Sequence, residues 1–171
     1  VLHAVRAYVT ASPKSIYSTK THAGFLRNLV VRESFGTGEI MVNSTGDGIT
    51  CDRLEELRAL NVRGVMFSLH AADPDDVNRF MGRDTAWKTM LEGISCCHSV
   101  GMDVTFNTCL LREAFYDGTF ERVMERARSF GASLIQLIKP KPSGAWLGED
   151  VSLFSADDLA HDIGGLDPGD V

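Results

Sequence analysis

Three polar residues that could do chemistry, Ser68, His70 and Asp73, lie at the end of a short apolar run or just after it. Residues 65–70 have the β-branched and aromatic composition of a buried strand, and the Asp-Pro pair at 73–74 is suited to starting a helix. Parallel α/β proteins place binding and catalytic groups at the carboxyl ends of their strands. The pattern predicts such an edge here, with the alternative that these side chains only cap the next helix.

Other kinds of site have fewer residues to support them. His70 with Asp73 or Asp75 could form a metal or acid-base site, but the loop offers no second histidine. The sequence contains neither a Walker loop nor a Gly-x-Gly-x-x-Gly fingerprint. Residues 36–39, Gly-Thr-Gly-Glu, are better interpreted as a hairpin turn than as a phosphate cradle.

The cysteines are the remaining reactive side chains, at Cys51, Cys96, Cys97 and Cys109. Their number and irregular spacing do not suit a disulfide scaffold in a chain of 171 residues, so we expect reduced thiols. Neighbouring residues of a helix diverge by about 100°, so Cys96 and Cys97 cannot act as a Cys-x-x-Cys metal clip. We expect these cysteines to be buried as small hydrophobic residues, with metal ligation as the alternative.

Alternating strands and helices must position these side chains. From residue 39 onward, extended apolar runs alternate with segments whose apolar residues recur every three or four positions. The predicted strands are 40–43, 65–70, 102–110 and 134–138, and the predicted helices are 51–60, 75–81, 85–100 and 118–130. Four units of about 30 residues favour a parallel sheet with crossover helices. The predicted fold class is α/β, a partial parallel β/α barrel, since a complete barrel needs about 200 residues or more.

The two ends of the chain have weaker patterns. Residues 1–10 suit a short helix, and residues 25–32 and 39–42 form a predicted N-terminal β-hairpin around the turn at 35–38. Near the other end, Ser155 is a plausible N-cap of one more helix. Residues 161–171 lack a helical pattern and are predicted to be a disordered tail.

Composition excludes several classes of protein. The hydrophobic fraction of 44% is ordinary for a globular chain. The net charge of −6 and the pI near 5.3 argue against a strongly basic nucleic-acid surface. Since no apolar run approaches the ~18 residues of a membrane span and no signal pattern precedes the first helix, we expect a cytoplasmic protein with no membrane partner.

Several segments, in order, resemble the radical S-adenosylmethionine (SAM) superfamily over about residues 40–160. That family's strands commonly end in Thr-Asn-Gly and in Ser-Leu-Asp-Gly or Ser-Leu-His-Gly, and its sixth strand has a Pro-x-Gly exit. The similar segments here are 44–48 (Ser-Thr-Gly-Asp-Gly) with the helix at 52–57, 67–70 (Phe-Ser-Leu-His), 104–108 (Val-Thr-Phe-Asn-Thr) and 135–144. The resemblance implies a barrel that binds SAM and a [4Fe–4S] cluster at the carboxyl ends of its strands.

The resemblance also implies roles for particular residues. Ser68 would contact the ribose or methionyl part of SAM, and Asn107 and Leu137 would line the same pocket. The family often has an arginine shortly after the serine-containing strand. Arg79 and Arg83 lie near that position, although the residue that aligns best is Met81, and Arg79 is the arginine predicted to bind the cofactor. For Ser68, Asn107 and Leu137 the alternatives are helix capping, loop support and core packing.

The chain departs from the family pattern in one major respect. Radical SAM enzymes hold their cluster with Cys-x-x-x-Cys-x-x-Cys and leave one iron open for SAM. Neither this triplet nor the family's Gly-Gly-Glu segment occurs in the sequence. The resemblance therefore implies SAM as cofactor but no ligands for the [4Fe–4S] cluster, and we expect the chain as given to be inactive in SAM cleavage.

The first part of the chain resembles a different family. Residues 17–32 and 37–43 are similar to a segment of RNA uracil-5-methyltransferases with the pattern His-x-Gly-Leu-Leu-Arg-x-Leu-x-x-Arg followed by Thr-Gly-Glu-x-Met-Val. This resemblance implies an RNA partner through the N-terminal segment, with Arg27 and Arg32 contacting phosphate or, alternatively, forming surface ion pairs. The catalytic half of those enzymes does not follow here.

These resemblances predict three parts: a methyltransferase-like segment at 1–43, a truncated radical SAM-like domain at 44–160 and the tail at 161–171. The leading hypothesis is a truncated or chimeric radical SAM-like protein, produced by a gene fusion, a recombined fragment or an artificial join near residues 42–44. One alternative is a fragment of a SAM-dependent RNA uracil methyltransferase. Another is a non-catalytic α/β domain that associates with itself or a partner through an open sheet edge.

Overall fold

A sheet of five strands in the order β1-β2-β3-β4-β5 is the central feature of the computed structural model. The structure describes residues 2–16, 18, 20, 21, 23, 31–34 and 36–138. Strands β2 to β5 are parallel to one another. The strands are β1 Val31–Glu33, β2 Ile40–Ser44, β3 Val62–Ser68, β4 Asp103–Thr108 and β5 Leu134–Leu137. Four parallel strands with helices between them confirm the predicted α/β class and are consistent with a partial β/α barrel.

Helices fill the connections between the parallel strands, as predicted. The helices are α1 Leu2–Ala11, α2 Cys51–Ala59, α3 Pro74–Met81, α4 Ala86–Val100 and α5 Thr119–Ser129, and a 3-10 turn spans Arg112–Phe115. Local sequence explains their ends. Thr50 caps α2 by accepting a hydrogen bond from the Arg53 backbone N–H. Gly82 and Gly101 end α3 and α4 in the left-handed conformation.

The hairpin predicted before the parallel strands is present in its described part. β1 and β2 are neighbours in the sheet, and Ser34 and Glu39 are joined by a backbone hydrogen bond of 2.9 Å. A connection this short requires antiparallel strands, because parallel pairing needs a crossover of about a dozen residues. Residues 25–30 of the predicted first strand, which include Arg27, lie outside the described residues.

Backbone contacts divide the chain into two units, residues 1–31 and 32–171. Helix α1 belongs to the first unit. The helix predicted after Ser155 and the tail at 161–171 lie outside the described residues. None of the helices in the described part is long and apolar enough to cross a membrane.

The core of the second unit lies between the parallel sheet and its helices. Phe67 of β3 and Phe106 of β4 are fully buried at its centre, with ring centroids 6.3 Å apart. Leu54 of α2, Ile94 of α4 and Val123 of α5 pack into the same cluster. Residues 65–67 are all buried, although successive side chains point to opposite faces of the sheet. Burial on both faces is typical of a central parallel strand.

The expectation of four reduced cysteines is wrong, because Cys51 and Cys96 form a disulfide with their Cα atoms 4.8 Å apart. Sequence spacing could not show that the first turn of α2 lies beside the second half of α4. Cys97 is a free and fully buried thiol, as predicted for a small hydrophobic residue. The divergence of adjacent helical side chains explains why one cysteine faces α2 and the next faces the core.

Candidate functional site

The carboxyl ends of β3 and β4 bring two predicted site residues together. Ser68 and Asn107 are direct partners in the parallel register, and Asn107 pairs with Gln136 of β5 in turn. Their neighbours Phe67 and Phe106 point into the helix-facing core, so the alternation of a strand directs Ser68 and Asn107 to the opposite face. Both are half-buried. A row of hydroxyl and amide groups therefore lies on the face of the sheet opposite the helix-facing core.

Leu137 does not share this face. It pairs with Thr108 and packs against the helix-facing core, which is the core-packing alternative considered from the sequence. The position in the row belongs to Gln136, one residue earlier. The period of two along a strand makes such a shift by one residue reverse the direction of the side chain.

Arg79 is also placed away from the row. Its guanidinium group is an ion-pair partner of Asp76 one turn earlier in α3, at 2.7 Å, and its side chain is 77% exposed. Asp73 acts as the N-cap of α3, accepting a hydrogen bond from the Asp75 backbone N–H at 2.9 Å. The capping alternative is therefore confirmed for Asp73.

Arg83 and Asn43 were not predicted as a pair, and both have a buried polar atom without a partner. Arg83 follows α3, is only 30% exposed and forms an ion pair with Asp47 through Nη1. Within the described residues, neither Arg83 Nη2 nor Asn43 Oδ1 has a hydrogen-bond partner. An unsatisfied buried group costs about 1–3 kcal/mol, so these two atoms are candidates for contacting a ligand.

Asn43 lies on the same face of the sheet as the row that contains Ser68. Asn43 pairs with Met66 across β2 and β3, and Met66 is two residues before Ser68, so Asn43 and Ser68 are diagonal neighbours on one face. Asp47 lies in the loop that follows β2. One sequence feature could have indicated Asn43: it stands at the end of a strand in the same way as Ser68 and Asn107.

His70 connects the segments that follow β3 and β4 through a hydrogen bond. Its Nδ1 atom accepts a 2.9 Å hydrogen bond from the Cys109 backbone N–H. Its ring packs against that of Phe80 at an interplanar angle of 39°, with centroids 4.4 Å apart. Burial lowers the pKa of His70 to about 4. A neutral imidazole that accepts at Nδ1 carries its proton on Nε2. His70 is thus a neutral group at neutral pH, and its Nδ1 atom is occupied by the Cys109 N–H.

Further hydrogen bonds hold the loop after β3 in place. Thr108 Oγ1 donates to the Leu69 carbonyl, and Leu69 N donates to the Asn107 carbonyl at 3.0 Å. Arg126 of α5 donates from Nε to the Ala72 carbonyl at 3.1 Å. The strand ends that carry Ser68 and Asn107 therefore have a fixed spacing, which suits the recognition of a rigid ligand.

The family follows from comparison with known proteins. The family described as Radical SAM superfamily matches residues 19–128, more than half of the chain. The chain belongs to the radical SAM superfamily. Membership implies SAM and a [4Fe–4S] cluster as the family's cofactors. The match also includes residues 19–43, and the resemblance of the first part of the chain to RNA uracil methyltransferases is not supported.

Among solved structures, one similar fold is that of coproporphyrinogen III oxidase (HemN) from Escherichia coli, described as a radical SAM enzyme. The TM-score is 0.50 at 16% identity, over 74% of this chain and 31% of that enzyme. At this identity the likeness shows the fold alone. The chain spans about a third of the length of HemN. No curated protein matches the sequence.

The cysteines present do not fit the family's iron-sulfur cluster. Cys51 and Cys96 are joined to each other, and burial raises the pKa of Cys97 to about 11. Burial also raises the pKa of Cys109, the single free cysteine near the strand ends. Among the described residues, no group of three or more His, Cys, Asp or Glu side chains could hold a metal ion.

Proposed function

We propose that the strand ends of β2, β3 and β4 form the part of a radical SAM barrel that contacts SAM. The observation that carries the proposal is that two buried atoms, Arg83 Nη2 and Asn43 Oδ1, lack partners among the described residues. Asn43 shares a face of the sheet with Ser68 and Asn107. Arg83 pairs with Asp47 of the loop that follows β2. SAM offers a carboxylate, an ammonium group and ribose hydroxyls. Each unpaired atom of the site has a complementary group on this ligand.

Each residue has a distinct proposed role. Arg83 donates from Nη2 to the methionyl carboxylate, while Asp47 holds the guanidinium group through Nη1. Asn43 accepts from the ammonium group or a hydroxyl, and Ser68 and Asn107 contact the ribose. Arg83 takes the role first expected of Arg79, because Arg79 is exposed and its guanidinium group contacts Asp76.

Titration calorimetry with SAM tests this proposal, and the two arginines provide a matched pair. We expect Arg83→Met to weaken SAM binding by about 10- to 100-fold, the equivalent of one charge-assisted hydrogen bond. Arg79→Met removes the same charge from an exposed position nearby and should leave the affinity within about twofold. Equal losses in both variants would indicate a general charge effect, and absence of binding by the unaltered chain would contradict the proposal.

The reductive cleavage of SAM needs an electron from a cluster, and the cysteines in the described part of the chain do not fit that cluster. We therefore propose that the 171-residue chain binds SAM but does not cleave it alone. A chimeric or truncated origin agrees with the missing cysteine triplet. The flanking gene sequence tests that origin, because a cysteine triplet encoded upstream in the same reading frame would contradict the chimera.

A second candidate function is association through the sheet edge at β5. This strand is last in the sheet order, and Leu134 within it is 51% exposed. Exposed edges of this kind pair with other strands. Light scattering tests the candidate: a clean monomer at micromolar concentration contradicts it, and a dimer that Leu134→Lys dissociates supports it.

A further inference from the structure

The loop between β2 and α2, residues 45–50, lies along α4 through a series of specific contacts. Asp47 pairs with Arg83, just before α4. A Cβ atom on Gly46 would lie 2.9 Å from Thr89 O and from Met90 N. One turn further along α4, a Cβ atom on Gly93 would lie 3.3 Å from Ile49 Cδ1. The loop that carries the site carboxylate Asp47 is therefore in close contact with this helix.

The disulfide between Cys51 and Cys96 adds a covalent link to these contacts between the loop region and α4. Cys51 immediately follows the loop as the first residue of α2, and Cys96 lies one turn beyond Gly93. The bond closes a segment with a sequence separation of 45. It holds the loop at one end, while the ion pair of Asp47 and Arg83 holds it near the other.

The disulfide lies in the outer layer of the molecule rather than in the core. Cys51 and Cys96 are both partly exposed. The exposed hydroxyl of Ser99 donates to the Cys96 carbonyl at 2.8 Å and lies 3.7 Å from Cys51 Sγ. Cys97, beside them in sequence, is fully buried. A dithiol reductant can therefore reach the bond without opening the core.

We propose that the Cys51–Cys96 disulfide is a redox-sensitive brace that fixes the 45–50 loop, and with it the Asp47–Arg83 pair, against α4. In the oxidised chain the loop presents Asp47 to Arg83 in one geometry. In the reduced chain the loop loses its covalent anchor, and the orientation of the Arg83 guanidinium group becomes less restricted. The effect on SAM binding rests on the proposed function, whereas the bracing of the loop does not.

Reduction transfers two electrons and two protons from a dithiol to the protein. The S–S bond of Cys51 and Cys96 breaks by way of a mixed disulfide, two protein thiols form, and the dithiol becomes a disulfide. Cys97 does not take part, because it faces the core and its raised pKa leaves it as a thiol. The cycle thus needs only an external thiol-disulfide couple.

Hydrogen exchange of the full chain with and without dithiothreitol tests the brace. We expect amides of residues 45–51 to exchange about tenfold faster after reduction, because their opening is local, while amides of β3 and β4 keep their rates. The matched control is the double variant Cys51→Ser and Cys96→Ser. Its loop should exchange like that of the reduced chain, and dithiothreitol should change nothing.

Three results would overturn the proposal. They are an intact mass that shows no disulfide in the unreduced chain, loop exchange that reduction leaves unchanged, or an equal rise in exchange over the loop and the central strands. The last result would mean that the disulfide stabilises the whole fold rather than the loop.

The second measurement is the affinity for SAM in both redox states, for which we expect a weakening of about three- to tenfold on reduction. If reduction speeds loop exchange but does not change a measurable SAM affinity, the proposed effect of the disulfide on SAM binding is contradicted. The bracing of the loop by the disulfide would still be supported. If neither state binds SAM, the proposed function fails while the exchange data still decide the brace.

Discussion

Two buried side-chain atoms support the proposed site more strongly than the residues with the most obvious chemistry. Arg83 Nη2 and Asn43 Oδ1 lack partners among the described residues, whereas Asp73 is already used as a helix cap. Proteins rarely leave buried polar groups unpaired. At the residue scale, an unsatisfied atom is therefore a better indication of a ligand than residue type alone.

Gly46 is a residue whose replacement should disturb the site loop. Its φ angle is +95°, and a Cβ atom there would lie 2.9 Å from backbone atoms of α4. We expect Gly46→Ala to lower the free energy of unfolding by about 2–4 kcal/mol. Gly101→Ala is the control, because Gly101 also has a positive φ angle but has nothing within 4 Å of the added atom.

Gly101→Ala should lower the free energy of unfolding by only about 1–2 kcal/mol, the cost of holding alanine in the left-handed conformation. Urea denaturation measures both values. Equal destabilisation by the two substitutions would show that the loop does not contact α4 closely.

His70 predicts a dependence of stability on pH. The unfolded chain takes up a proton near the ordinary pKa of 6.5, whereas burial lowers the pKa of the folded chain to about 4. Between these values the unfolded state binds more protons, so stability is complete above pH 6.5 and falls as the pH is lowered through 4. The loss is about 3 kcal/mol at most.

Denaturation at several pH values measures this loss. The matched variant is His70→Asn, which keeps an acceptor for the Cys109 N–H and removes the titrating ring. Its stability should change less than that of the unaltered chain between pH 6.5 and 4. Parallel pH profiles would contradict the role of His70.

At the scale of the elements, helix capping and strand register determine where the site residues lie. Capping starts α2 and α3 immediately after the loops that follow β2 and β3. The parallel register then aligns Ser68 with Asn107. Because capping is local, the elements could be predicted within a few residues, whereas the register depends on how strands distant in sequence pack.

The two threonines that precede helices provide a test of capping. Thr50 accepts a hydrogen bond from Arg53 N, but Thr85 makes no side-chain cap hydrogen bond. We expect Thr50→Ala to destabilise the chain by about 1 kcal/mol and Thr85→Ala to have a smaller effect. Thermal denaturation distinguishes them, and a larger loss for Thr85→Ala would contradict this account of α2.

At the scale of the whole molecule, the chain has the fold of a radical SAM domain, and its described residues include no group of side chains that could hold a metal ion. Family membership rests on residues 19–128, and the likeness to HemN covers 31% of that enzyme. The strand ends and the cluster ligands are separate contributions to such a barrel. We therefore expect that SAM binding by this chain can be measured separately from SAM cleavage.

Anaerobic reconstitution with iron and sulfide tests the cluster directly. We expect no visible iron-sulfur absorbance from the 171-residue chain, because two cysteines are paired and a third is fully buried. A reduced sample is the necessary control, since reduction frees Cys51 and Cys96. Stable cluster assembly in either sample would show that our assignment of these cysteines is wrong.

The sequence by itself determined the order of strands and helices, because apolar periodicity, capping residues and glycine stops act over a few neighbouring positions. It also indicated Ser68 and Asn107, which stand at the ends of strands. Only the tertiary structure decided that Cys51 meets Cys96, that Leu137 faces the core and that Arg83, rather than Arg79, is half-buried. These outcomes depend on how distant segments pack, and on a one-residue difference in strand register that no local pattern specifies.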